Sequence, residues 1–209
     1  NLGLKLISNY DTQFILGDPP NYEPGKEDSI AALAKSKGIA ELEVIYDEFL
    51  KNEGTNLVYA CFTPYDNHKL DFVERAYSLK SSVAGGSDGG AHCGLICDAS
   101  MPTTNLSHWA RDREAGKKIP IELIVRKQTK DTAETYGLFD RGEIKTGMLA
   151  DLNIIDFEKL NVTHPKMVYD LPLGGRRLIQ TSSGYLATVK SGEVVFEAGE
   201  ATGILPGKL

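Results

Sequence analysis

The residue of this sequence best suited to do chemistry is an acid set among glycines: Asp88, in the run Val83-Ala84-Gly85-Gly86-Ser87-Asp88-Gly89-Gly90-Ala91-His92. Ser82, Val83 and Ala84 are small or β-branched and read as a short buried strand. The glycines that follow mark a backbone that turns sharply or approaches something closely. A carboxylate just past a strand end, ringed by residues without bulk, is placed to face a ligand or a metal; at the C-terminal rim of a parallel α/β barrel that is where reactive side chains sit. The same run also fits a second chemistry. Gly85-Gly86-Ser87-Asp88-Gly89 matches the G-x-S-x-G nucleophile elbow of serine hydrolases,. That reading needs a helix directly after Ser87 and a partner such as His164, whereas Gly89-Gly90-Ala91-His92-Cys93-Gly94 is a poor helix former,.

The neighbouring donors have quieter readings. His92 reads as a structural hydrogen-bonding residue, and Asp98 as a tie for the loop after the strand. Cys93 and Cys97, with His92 and His108, resemble half a zinc knot, but one Cys-x3-Cys pair without a second reads as two free buried thiols, as does Cys61,. Trp109 reads as packing for a helix. Arg111 and Arg113 read as a solvated or inter-domain salt-bridging face, and an Arg near a site mouth can hold a substrate carboxylate,. Gly174-Gly175-Arg176-Arg177 reads as a turn into a strand rather than a phosphate loop.

The elements that must position Asp88 are of α/β type. Leu4 to Ser8 reads as a strand, and a Pro-rich loop runs through Asp18-Pro19-Pro20 to Gly25. Asp28 or Ser29 starts a helix with Ile30, Leu33 and Ala34, which stops at Gly38,. Leu42, Ile45, Phe49 and Leu50 have the spacing of one buried helical face,. The apolar run Leu57 to Cys61 predicts a strand covered on both faces, and Phe72, Val73, Ala76 and Tyr77 a helix leading back to the strand before Asp88,. Together these predict a βαβ unit with a right-handed crossover. Thr104 to Ala115 predicts a helix with Leu106, Trp109 and Ala110 inward, and Pro120 opens another through Ile121, Ile124, Val125 and Gln128 toward Gly137,. After Gly142 the helical spacing ends. Leu152 to Ile155 is strand-like, and Tyr185 to Val189 with Val194 to Phe196 flank Lys190-Ser191-Gly192-Glu193 as a hairpin,. A boundary is expected near residue 145, with domains 1–145 and 146–209.

Bulk properties narrow the class. A chain of 209 residues, 41% hydrophobic and 25% charged, can bury a real core,. A net charge of −6 argues against nucleic acid or an anionic membrane as the main partner,. No apolar run approaches the ~20 residues of a membrane span. Three cysteines fit a reducing, cytoplasmic setting better than a disulfide framework,. Asn1-Leu2-Gly3 is no signal peptide, and the absence of a first Met reads as entry part-way into a longer protein.

Gly86-Ser87-Asp88-Gly89-Gly90-Ala91-His92 resembles the strand-eight segment of the amidohydrolase superfamily, metal-dependent C–N hydrolases on a (β/α)8 barrel. Tyr136-Gly137-Leu138, Asp140-Arg141-Gly142-Glu143-Ile144, Gly147-Met148-Leu149-Ala150-Asp151-Leu152 and Asp156 resemble its passage from last barrel helix to small β-domain. Ile96-Cys97-Asp98-Ala99-Ser100 and His108-Trp109-Ala110-Arg111-Asp112-Arg113 are most similar to the N-acyl-D-amino-acid deacylase (D-aminoacylase) branch. The likeness extends from about Asp28 to the C-terminus.

The resemblance implies the C-terminal part of a barrel followed by part of a small, sandwich-like β-domain. It implies one or two divalent metals, usually zinc, at the barrel mouth, and a water whose pKa falls from about 16 to about 7. Asp88 would take that water's proton and hand it to the leaving nitrogen, and would be at most a weak metal ligand. The implied substrate is a small N-acyl amino acid or similar amide. The family's other ligands are a His-x-His pair, a bridging Lys, Glu or Cys, and two further histidines. No His-x-His occurs here and no histidine precedes His68. A metal held by one carboxylate is not retained, and two barrel strands cannot close a barrel. The chain alone is therefore expected to be inactive, with the missing N-terminal segment as its partner and a homo-oligomer left open. A non-catalytic assembly protein on the same fold is the other reading, since fold does not establish chemistry.

Overall fold

The computed structural model describes residues 8–61, 65, 67–87, 90 and 92–207. The chain divides into two compact units, Asn1–Glu74 and Arg75–Leu209. The expected strand from Leu4 falls largely outside the described residues.

In the first unit, β1 (Gln13–Ile15) pairs antiparallel with β2 (Val58–Ala60), with Phe14 opposite Tyr59. Helix α1 (Ile30–Lys37) starts where the sequence places it: the Ser29 Oγ accepts the Ala32 N–H at 3.2 Å and donates to the Lys26 carbonyl at 2.8 Å,. Gly38, at φ +68°, closes it in the left-handed conformation that glycine takes without cost,. Helix α2 (Glu41–Phe49) follows, its first turn tied by Glu43 accepting the Ala40 N–H at 3.0 Å. Ile30 and Ala34 of α1 pack with Val44 of α2 into the core, flanked by Tyr10, Ile15, Leu33 and Ile45.

Two expectations are corrected here. The inward row of α2 is Val44 and Glu48, whereas Leu42 and Leu50 are more than 60% exposed and Phe49 is also exposed. The reason is geometric. Packing against Ile30 and Ala34 selects the row that carries Val44, and Ile45 shares it only at its margin,. The βαβ unit is not formed either. β2 is half-buried and pairs antiparallel with β1, and Ser82–Ser87 joins no ladder. Every ladder among the described residues is antiparallel.

Helix α3 (Asp71–Ser78) leads into the second unit. There α4 (Met101–Thr104) continues as a wider π-type helix over Asn105–Asp112, burying Leu106, Ser107 and Trp109. The Ile119 N–H closes back on the Trp109 carbonyl at 2.9 Å. Helix α5 (Ile121–Gln128) begins after Pro120 as expected, with Ile124 fully buried. The chain breaks at Thr129 and resumes as α6 (Lys130–Thr135), so the single helix read toward Gly137 is two; Val125 is exposed.

The remainder is β-rich: β3 (Leu152–Ile155), β4 (Asn161–Val162), β5 (Lys166–Leu171), β6 (Gly175–Ile179), β7 (Ser182–Ser183), β8 (Tyr185–Lys190), β9 (Glu193–Glu197) and β10 (Glu200–Ala201). A four-stranded sheet has the order β10-β9-β8-β3, and β4–β7 and β5–β6 are separate pairs. The expected hairpin is present. Lys190 faces Glu193 across Ser191 and Gly192, at φ +53° and +87°, the turn whose twist matches the strands,. Gly184 is required by space, since a Cβ there would lie 2.6 Å from Leu160 Cα. Among the described residues no helix is long and apolar enough to cross a membrane.

Candidate active site

Asp88 lies outside the described residues; the chain on both sides of it does not. On the approach, the Ser82 hydroxyl donates to the Ala76 and Leu79 carbonyls, the second at 2.9 Å. The Lys127 ammonium donates to the Leu79 carbonyl at 2.7 Å and to the Ser82 carbonyl. Thr132 Oγ1 lies 3.5 Å from the Ala84 carbonyl. Beyond the acid, the His92 carbonyl accepts the Leu95 and Ile96 N–H groups at 2.9 and 3.1 Å, which closes a turn. The Cys93 carbonyl accepts the Leu178 N–H of β6 at 2.8 Å. Ser100 bonds Gln180, and Thr103 Oγ1 meets the Tyr185 hydroxyl at 2.9 Å. The segment after the acid is thus tied to the β-rich end of its own unit.

Ser87 is half-buried, and the described residues 90 and 92–97 are turn and irregular chain, so the helix a nucleophile elbow needs does not follow it,. His164 Nδ1 sits 2.8 Å from the Pro165 carbonyl oxygen. His92 is exposed; His108 packs edge-on against Trp109, ring centroids 5.4 Å apart. Cys61, Cys93 and Cys97 are in no disulfide and are partly buried, and burial, followed by the charge of Asp98, pushes the Cys97 thiol up from its ordinary value. Such a thiol is held away from the reactive thiolate.

The two arginines are not a solvated face. Arg113 is 1% exposed, lies 4.6 Å from the centre of the Trp109 ring and donates to the Lys117 carbonyl at 2.7 Å. Arg111 spans three carbonyls, donating to Phe157, to Glu158 at 3.1 Å and to Leu160 at 2.8 Å, and stacks on the Phe157 ring. Its bond to Asp112 holds that carboxyl below its ordinary value, against a smaller opposing effect of burial. The packing reason is common to both residues. Arg111 reaches fixed carbonyls with its planar fork, and Arg113 has the Lys117 carbonyl and the Trp109 ring, so each guanidinium is partnered where it is withdrawn from water,.

Asp151, from the Gly-Met-Leu-Ala-Asp motif, is likewise a structural acid. It accepts both contacts of Lys190 at 2.9 and 3.0 Å, the Ser191 N–H at 2.9 Å and Arg141 at 3.3 Å. Partial burial pushes its carboxyl up, but the bonds from Lys190 and Ser191, with the Lys190 and Arg141 charges, outweigh it and hold the carboxyl below its ordinary value. Two further features went unread in the sequence. Lys127 is buried, and its signal was its place three residues after Ile124, on the inward face of α5,. In the first unit Tyr65 donates to the Pro24 carbonyl, while buried Glu23 accepts the Leu70 N–H at 2.8 Å. Burial and then the Glu23 charge push the Tyr65 hydroxyl up.

Among the described residues, no three His, Cys, Asp or Glu side chains stand close enough to hold a cation. These donors do not by themselves make a zinc site, which takes about four ligands.

The sequence model of the amidohydrolase family matches residues 21–196. The chain belongs to the amidohydrolase family. A search of curated proteins found no match. Among solved structures the chain is similar to a D-aminoacylase described as defining a novel subset of amidohydrolases, at 21% identity and a TM-score of 0.47. It is similar at 21% and 0.46 to a D-aminoacylase variant in complex with copper chloride, and to a D-aminoacylase studied for its binuclear metal centre. Each likeness covers 92% of this chain and 36% of the other, so the chain spans about a third of the length of those structures.

Proposed function

We propose that the chain is the C-terminal part of a metal-dependent amidohydrolase, with residues 1–145 belonging to its barrel and 146–209 to its small β-rich domain. The whole protein hydrolyses the amide bond of N-acyl amino acids, in the manner of the D-aminoacylase branch, or of a similar C–N substrate. Asp88 carries the proton, holding it on its carboxylate and passing it to the departing nitrogen. A divalent metal, zinc in the first instance, would supply Lewis-acid activation of the carbonyl and of water. Asp88 would be at most a weak ligand to it, the other ligands coming from outside this chain.

One observation carries this reading. The family match runs through both the Gly-Ser-Asp-Gly-Gly-Ala-His segment and the Gly-Met-Leu-Ala-Asp passage, two of the places where the family likeness was legible. The test uses the intact protein and measures amine release from N-acetylated amino acids of both chiralities. Asp88→Asn should keep its fold and its metal content while turnover drops by about 10²- to 10⁴-fold, the usual contribution of a positioned acid–base group. Undiminished turnover in that variant would sink the assignment. Labelling of Ser87 by a fluorophosphonate, with loss of activity, would replace it with serine chemistry. Zinc-dependent hydrolysis by the 209-residue chain alone would overturn its being an inactive portion.

A further inference from the structure

Two features of the second unit stand open to solvent, and they match one another. The first is the hairpin of β5 and β6, which among the described residues pair only with each other. A ribbon of two strands is marginal in water by itself, yet this one ends in an apolar tip. Tyr169 is 69% exposed and Leu173 is fully exposed. Leu173 also sits at φ +61°, in the left-handed region that a residue with a Cβ enters against its preference; Gly174 follows at φ +73°,. Asparagine or glycine would fill the Leu173 position at less cost. The leucine is therefore unfavourable twice over, in its surroundings and in its backbone.

The second feature is a cleft of about 630 Å³ between the four-stranded sheet and residues 203–207, walled by Leu152, Val189, Phe196, Ile204 and Pro206. Its size and apolar lining are those of a site that takes up apolar groups. Charge divides in the same way. The hairpin carries Lys166, Arg176 and Arg177 against one acid, Asp170, which Arg177 binds at 2.7 Å. Arg176, close to the tip, is exposed. Beside the cleft, β9 and β10 carry Glu193, Glu197 and Glu200, all exposed, and Glu197 lies directly opposite Glu200. Like charges so placed repel one another, and a cation brought against them relieves both.

We propose that the protein pairs with a second copy of itself, the β5–β6 tip of each protomer seated by Leu173 in the cleft of its partner, with Arg176 against Glu197 and Glu200. A basic tip and an acidic-rimmed cleft on one chain are the two halves of a self-complementary contact, which two-fold symmetry uses twice. An interface of standard size covers about 800 Å² on each partner. One tip falls short of that; a tip given and a tip received by each copy bring the pair toward it. The inference goes beyond the hydrolase assignment and does not rest on it.

Sedimentation of the intact protein over a concentration series tests the pairing, and a dimer is expected. Leu173→Asp should raise its Kd by at least about 30-fold, as loss of a central apolar anchor does. Leu173→Gly suits the backbone and removes the side chain, so it should weaken the dimer as much without lowering the melting temperature of the dilute monomer. Arg176→Glu should cost about tenfold, and adding Glu197→Arg should restore the Kd to within about threefold. A maleimide should label Leu173→Cys readily in the dilute monomer and slowly in the dimer. An intact protein that stays monomeric throughout overturns the inference, as does a dimer indifferent to Leu173→Asp. Slow labelling in the dilute monomer would show the tip covered within its own protomer, and overturns it too.

Discussion

Each of the two units of this chain is stabilised internally by its own means. In the first, aromatic and aliphatic side chains do the work. Phe14 is 1% exposed and meets Tyr65 edge-on at 5.7 Å and Tyr59 at 6.3 Å, while Ile30, Ala34 and Val44 close the space between α1 and α2. In the second, apolar residues such as Ile124 and Leu160 are present, and two cations add long-range ties to backbone carbonyls, Arg111 to residues 157–160 and Lys127 to Leu79 and Ser82, beside hydroxyl contacts such as Thr103 to Tyr185. Apolar packing is tolerant of exact direction, whereas a cation bridging fixed carbonyls sets the path of the backbone it holds.

If the comparison holds, the largest single loss should come from the apolar side. Phe14→Ala removes a fully buried ring and two aromatic contacts, and is expected to destabilise the first unit by about 3–5 kcal/mol in chemical denaturation. A loss below about 1 kcal/mol would mean that its partners, not the ring, hold that unit. On the polar side the expected loss is smaller but sharper in kind. Arg111→Ala leaves the Phe157, Glu158 and Leu160 carbonyls without their donor, at about 2–3 kcal/mol,. Arg111→Lys should recover less than half of it, because one ammonium cannot span three carbonyls that a planar fork reaches. Full recovery by lysine would show that charge alone, not the fork, is what matters there.

This division also explains which features could be seen in the sequence. Caps and turns were legible because they are local: Ser29 and Gly38 bracket α1, and Ser191-Gly192 makes the hairpin turn, each fixed by neighbours within a few residues. The buried side of α2 was misread because a period of three and four cannot say which of two apolar rows meets a partner; Val44 won over Leu42 through the position of α1,. The strand read over Ser82–Ala84 failed for a related reason, since β-propensity describes a residue's fit to a ladder and no ladder is offered there,. The cation ties were illegible almost by construction. Their acceptors are carbonyls, which every residue carries, so Arg111 and Lys127 look in the sequence like any surface charge. The motif around Asp88 was legible as family likeness, and the match over residues 21–196 bears that membership out.

The smallest expected effect tests whether the motif acid Asp151 belongs to the polar scheme. Its carboxylate receives Lys190, the Ser191 N–H and Arg141, and is held below its ordinary value, so the charged form is the one the fold favours. For a group with a depressed folded value, the stabilisation is fully present above its unfolded value of about 3.9 and is lost as pH falls through the folded value. Asp151→Asn should therefore cost about 1–2 kcal/mol at neutral pH. The gap between variant and wild type should narrow as pH falls below about 4, where the native acid also gives up its charge. Thermal unfolding at a series of pH values measures both. A gap that stays constant through the acid range would mean that Asp151 holds the Lys190-Ser191-Gly192-Glu193 turn by shape and neutral bonds. A gap that closes shows the hairpin tied by the Asp151 charge to Lys190, Arg141 and the Ser191 N–H.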